Sequence, residues 1–121
     1  MAVDVPAGTL HLKCHATAPL PGLVVVARDV LPLDLVPAGW TIVKIPDEEA
    51  YAANTLGLGA TVIAAAGFPQ TVARIAAAGA RVRVLDTTEI AKAAGSLTCL
   101  SLIVPGRPAR PTRPADDRAR R

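Results

Sequence analysis

Aromatic side chains are nearly missing from this sequence: Trp40, Tyr51 and Phe68 are the whole set in 121 residues. The core must be packed from Val, Ile, Leu and Ala. Although 51 % of the chain is apolar, its length supports one small aliphatic core rather than two. Cysteine is equally scarce. Cys14 and Cys99 are too few for a disulfide framework or a four-ligand zinc site, so each is either a buried apolar residue or a reactive thiol. No apolar run reaches the roughly 18 to 20 residues that cross a bilayer. The opening Met1-Ala2-Val3-Asp4-Val5 lacks the basic-then-apolar layout of a secretion signal, and the expectation is a cytoplasmic protein with no membrane segment.

Net positive charge is confined to one end. Residues 105–121 hold six arginines against Asp116 and Asp117, a net +4, whereas residues 1–104 carry seven basic and eight acidic side chains, a net −1. The whole-chain charge of +3 therefore describes a tail and not a basic domain. With Pro105, Pro108, Pro111 and Pro114 at three-residue spacing and almost nothing apolar, that tail cannot offset chain entropy by burial and is expected to be disordered. No aromatic is interleaved with its arginines to stack on bases, which argues against a nucleic-acid partner.

Apolar alternation bounded by Gly and Pro predicts strands at about Thr9–Ala16, Leu23–Arg28, Thr41–Ile45, Thr61–Ala65, Arg81–Leu85 and Leu97–Val104. Pro69 in a first turn, Val72, Ile75 and Ala76 on one face, and Gly79 at the end predict a helix over Pro69–Ala78. A second short helix follows Asp86, which with Glu89 makes an Asp-x-x-Glu capping box ahead of Ile90-Ala91-Lys92-Ala93, and Gly95 closes it. A third helical turn lies between Pro46 and Asn54, with Asp47, Glu48 and Glu49 at its positive end. Residues 37–47 overlay residues 77–87 at an offset of 40, with Gly39 on Gly79 and the same alternation after each, while Leu23-Val24-Val25-Val26 falls on Thr61-Val62-Ile63-Ala64 at an offset of 38. The chain reads as two copies of a strand, strand, helix, strand unit plus the first strand of a third, an α+β arrangement whose last strand lacks a partner.

His11, in Leu10-His11-Leu12-Lys13, and Cys99, in Leu97-Thr98-Cys99-Leu100-Ser101, hold the same place in their repeats, the strand that opens a unit. Repeats packed around an axis bring equivalent positions together, so this thiol and imidazole can meet although remote in sequence. A cysteine within hydrogen-bonding reach of a histidine is an activated nucleophile with its own acid and base. The plainer reading stays open: a cysteine in an apolar strand packs as a small hydrophobe, and a strand histidine is a satisfied structural residue. Cys14 and His15 form a second Cys/His pair, but neighbours on a strand point to opposite faces, which reads them as incidental.

The stretches Leu10-His11-Leu12-Lys13, Ile45-Pro46-Asp47-Glu48-Glu49-Ala50-Tyr51-Ala52-Ala53-Asn54, Ala66-Gly67-Phe68-Pro69 and Leu97-Thr98-Cys99-Leu100-Ser101, in that order and spacing, resemble the carboxyl-terminal half of the dimethylarginine dimethylaminohydrolase family. The likeness runs from about Gly8 to Val104. It implies the pentein fold, an α/β propeller of five strand-strand-helix-strand units around a central active site. Residues 1–104 then form the carboxyl-terminal portion of the catalytic domain and residues 105–121 a disordered Pro/Arg-rich tail. The activity implied is hydrolysis of the guanidino group of a methylated arginine to citrulline and dimethylamine through a cysteine-bound intermediate, with no cofactor and no metal. The family's nucleophile falls on Cys99, its histidine on His11, and a backbone carbonyl that contacts substrate on Ala93, where a larger aliphatic residue is usual. Its substrate-binding carboxylates and arginine come from the amino-terminal half. Asp47, Glu48 and Glu49 do not correspond to them and are read as helix caps, and Asn54 as the support of a turn. Arginine deiminase-like or amidinotransferase-like chemistry is the alternative within the superfamily. A non-catalytic module assembling through open sheet edges is the alternative outside it, and the same edges predict self-association.

Overall fold

Each half of the molecule begins with a hairpin whose two-residue turn carries a glycine. The computed structural model describes residues 4–5, 7–104 and 106. In the first half β1 (Ala16–Leu20) returns through Pro21-Gly22 as antiparallel β2 (Leu23–Val26), and β2 pairs parallel with β3 (Thr41–Lys44). In the second, β4 (Leu56–Leu58) returns through Gly59-Ala60 as antiparallel β5 (Thr61–Ala65), and β5 pairs parallel with β6 (Arg81–Leu85). The register is shared as well. Leu23 lies opposite Thr41 and Thr61 opposite Arg81, the residues that the offsets of 38 and 40 put in correspondence. Gly39 and Gly79, at φ +84 and +90, enter β3 and β6 through a left-handed conformation that a Cβ would strain.

The crossovers differ. The second half uses helix α1 (Pro69–Ala77), the first only a 3₁₀ turn at Leu33–Leu35. A longer 3₁₀ segment, Asp47–Ala53, follows β3, and the short helix α2 (Thr88–Lys92) follows β6. Leu23, Val25, Val43, Ile45, Val62 and Ile75 form one buried cluster drawn from both halves, each such side chain contributing about 1.5–3 kcal/mol by leaving water. The halves meet where β1 packs on β4. Gly57 is required there, because a Cβ at that position would run into the Pro19 carbonyl oxygen. Among the described residues no helix is long and apolar enough to cross a membrane.

Two predicted strands are corrected. Residues Thr9–Ala16 are not a strand: β1 starts only at Ala16, and Leu12–Cys14 form a 3₁₀ turn. The cause is β2, which ends at Val26 because Arg28 and Asp29 turn left-handed at φ 58 and 43. The last ladder bond on that side runs from Ala27 N to His15 O at 2.8 Å. Nor is Leu97–Val104 a strand. No described strand lies beside it, and it coils on itself, Cys99 N donating to Ser96 O at 3.1 Å and Ser101 Oγ to Leu97 O at 2.6 Å. His11 and Cys99 therefore sit on loops, and the expected opening strand of a third unit is not formed. β4, which no pattern predicted, completes the second unit, its alternation being interrupted by Gly57.

The helices need smaller corrections. α1 buries Thr71 and Ile75, with Ala76 exposed instead of sharing that face. α2 has no capping box: Asp86 Oδ1 accepts from Thr88 N at 2.9 Å and from Thr88 Oγ1 at 2.6 Å, while Glu89 pairs with Lys92. The left-handed residue that ends α2 is Ala94, at φ 55, ahead of Gly95. The tail expected to be disordered, residues 105–121, lies outside the described residues except for Gly106.

Candidate active site

The segment Asp47–Ala53 is broken at Glu49, whose φ of −104 and ψ of 15 leave the helical range. The break sends successive side chains toward different neighbours. Glu49 turns inward and caps a helix other than its own: Oε2 accepts from Thr71 N and Thr71 Oγ1, both at 2.7 Å, and Oε1 from Gln70 N at 3.2 Å. It thereby closes the first turn of α1, which has no capping side chain at Phe68. Tyr51 stacks at a tilt on Phe68, ring centroids 5.7 Å apart, and its hydroxyl donates to Gly95 O at 3.0 Å. Asn54, 2 % exposed, donates from Nδ2 to Lys13 O at 3.0 Å and accepts at Oδ1 from Thr98 N at 2.8 Å.

These bonds gather the chemistry-bearing segments of the sequence. His11 is exposed and extended, two residues before Lys13, with its carbonyl accepting from Cys14 N at 3.0 Å. Cys99 is exposed, directly after Thr98, with Sγ 3.1 Å from Ser96 Oγ. Their loops are joined through Asn54, while no hydrogen bond links the His11 and Cys99 side chains among the described residues. Ala93 lies at the end of α2, its N–H donating to Ile90 O at 3.1 Å, next to the segment that Tyr51 holds.

A cavity of about 280 Å³ opens where these segments meet, lined among others by Cys14, His15, Arg28, Tyr51, Asn54 and Ser96. Cys14 and His15 thus face one space, which corrects the opposite-faces reading: neither belongs to a strand. The pKa of His15 is lowered by burial and then by the Arg28 charge, which favours the neutral ring. Buried polar atoms without a protein partner are uncommon in folded proteins. Among the described residues two such atoms are His15 Nδ1 and Thr98 Oγ1, one on each loop that Asn54 joins. No group of three or more His, Cys, Asp and Glu side chains is placed to hold a metal ion among the described residues.

Asn54 is what sequence reasoning underrated. Its place at the end of a helical turn signalled a turn former, and nothing local marks it as the link between residues 13 and 98. An asparagine directly after a run of small apolar residues, Ala50 to Ala53 broken only by Tyr51, was the one available hint.

No family model matches the chain. Over 63 residues it is 44 % identical to the dimethylarginine dimethylaminohydrolase of Pseudomonas aeruginosa, a match covering 52 % of this chain and 25 % of that protein. Its structure superimposes on that of the Pseudomonas aeruginosa enzyme, solved as a cysteine-to-serine variant complexed with citrulline, with a TM-score of 0.67 and 32 % identity, over 81 % of this chain and 38 % of the other. It also superimposes on a histidine-to-glycine variant of a dimethylarginine dimethylaminohydrolase carrying an adduct with S-methyl-L-thiocitrulline, with a TM-score of 0.66 and 32 % identity, over 78 % and 37 % of the two chains. The chain therefore spans well under half the length of the relatives it matches.

Proposed function

We propose that this chain, a dimethylarginine dimethylaminohydrolase-like member of the pentein fold, takes part in hydrolysing the guanidino group of a methylated arginine, with Cys99 as nucleophile and His11 as acid and base. A guanidinium carbon is a poor electrophile because its charge is delocalised, and a thiolate combines high nucleophilicity with modest basicity. The Cys99 thiolate attacks that carbon and forms a C–S bond. The C–N bond to dimethylamine then breaks, the leaving nitrogen taking a proton from His11. Water adds to the thiouronium carbon as neutral His11 accepts its proton, the C–S bond breaks to restore the thiolate, and the remaining hydroxyl proton passes to the released amine or solvent as citrulline leaves. Water is consumed, and citrulline and dimethylamine are the products. The backbone carbonyl of Ala93 is the proposed contact to substrate.

The supporting observation is that the loops bearing His11 and Cys99, at opposite ends of the described chain, are bonded to one buried side chain in a fold that superimposes on a citrulline-bound relative. Gripping the guanidinium calls for carboxylates aimed at its fork. Glu49 is committed to α1, and Asp47 and Glu48 are exposed. Turnover by this chain alone is therefore expected to be slow, and the covalent step is the more telling readout. Incubation with S-methyl-L-thiocitrulline followed by peptide mass spectrometry is expected to find an adduct on Cys99, absent from Cys99→Ser. A folded protein that gains no adduct, or gains it on Cys14, overturns the assignment.

A further inference from the structure

Asn54, Thr55 and Thr71 are among the largest fully buried side chains. Thr71 is bonded to Glu49, and Thr55 shares a 2.6 Å hydroxyl contact with Thr17, whose Oγ1 also donates to Ala53 O at 2.7 Å. Those bonds stitch neighbouring core elements together. Asn54 differs, because its amide is used on two loops that have no sheet partner of their own among the described residues. One is the 3₁₀ turn after His11, the other the coil before Cys99. An amide is planar, with donor and acceptor in fixed relation, so satisfying Lys13 O on one side and Thr98 N on the other sets the two loops relative to each other.

We propose that Asn54 is a positioning residue that holds the His11 loop and the Cys99 loop in working register by binding both to one amide. The inference rests on the reading of Cys99 and His11 as the reacting pair. The site demands one donor and one acceptor at once. Aspartate has the right shape but opposes an oxygen to the Lys13 carbonyl, and alanine leaves both backbone groups without their partner. Because misplacing reacting groups by about 1 Å costs on the order of 100-fold in rate, such a clamp acts on rate without touching substrate.

Two readouts on the full chain test it: exchange of the Thr98 amide hydrogen, and alkylation of Cys99 by iodoacetamide, resolved from Cys14 by peptide mass spectrometry. The variants are His11→Ala, Asn54→Ala and the double variant. Thr98 exchange is expected to quicken about tenfold or more in Asn54→Ala. Cys99 alkylation is expected to slow about tenfold in either single variant and no further in the double, as for residues acting through one another. Ile75→Val, which trims a fully buried core side chain of α1 and lies on neither loop, sets the level of a purely structural loss. Asn54→Asp, which keeps the acceptor for Thr98 N, is carried in parallel against a folding failure of Asn54→Ala. It is expected to retain Thr98 protection and still slow Cys99.

Additive losses overturn the positioning role, as does an unchanged Cys99 rate in the Asn54 variants or an equal loss in Ile75→Val. Unchanged Thr98 exchange in Asn54→Ala overturns the clamp itself. If His11→Ala leaves Cys99 alkylation unaltered, the reacting pair fails and the positioning role falls with it, whereas Thr98 exchange still reports the clamp, so the two failures are told apart.

Discussion

Glu49 lies buried with both carboxylate oxygens occupied by N–H and O–H groups of Gln70 and Thr71. Burial alone raises its pKa, but the bonds from Thr71 and Gln70, with the Arg74 charge nearby, more than reverse this and hold it below its ordinary value of 4.5. A carboxyl depressed in the folded state contributes stability that is complete above its unfolded value and is lost as pH falls through its folded one. His15 has the same sign: its lowered pKa favours the neutral ring in the fold, so its contribution fades as pH falls below its ordinary 6.5. Urea midpoints measured from about pH 7 down to about pH 3 are expected to decline in two stages, the first beginning below 6.5 and the second below 4.5. Glu49→Gln is expected to flatten the second stage and to lose about 2 kcal/mol near neutrality, since an amide N–H then opposes donors of α1. A single stage shared by both proteins contradicts this account.

The segment Asp47–Ala53 and its flanking Asn54 are the organising element. From them Glu49 closes α1, Tyr51 holds Gly95 and Asn54 joins the two loops. Arg74 Nη1 ties α1 to the end of β3 through Lys44 O at 2.7 Å. At this scale the repeat was legible, because turn glycines and strand alternation are local signals that recur with the unit. Strand ends were not, because a strand extends only as far as its partner does, and β2 stops at Val26. Gly57→Ala tests the contact between β1 and β4. The added methyl meets backbone at Pro19 rather than a side chain that can yield, so a loss of about 1–3 kcal/mol in urea denaturation is expected, against less than about 0.5 kcal/mol for an exposed substitution elsewhere.

The described residues form two units joined by one core, with several large apolar side chains left on the outside. Leu58, Val84, Leu85, Leu100, Leu102, Ile103 and Val104 are exposed. Val84 borders an apolar depression of about 400 Å³ formed with Phe68, Pro69 and Val72. Sheet edges flanked by such residues favour pairing with a second copy. Sedimentation at tens of micromolar is expected to show association that Val84→Lys reduces, and a clean monomer contradicts it.

By itself the sequence determined the two-unit α+β plan, the correspondence of Leu23 with Thr61 and of Thr41 with Arg81, and the resemblance carried by the His11 and Cys99 segments, all of which are written in short runs of neighbouring residues. Tertiary structure decided that those two segments are loops, that Glu49 serves a helix twenty residues away, that Cys14 and His15 face one cavity, and that Asn54 binds both ends of the described chain. The physical reason is the same in each case: a hydrogen bond between distant segments leaves no local pattern, and a period-two run becomes a strand only where another strand lies beside it.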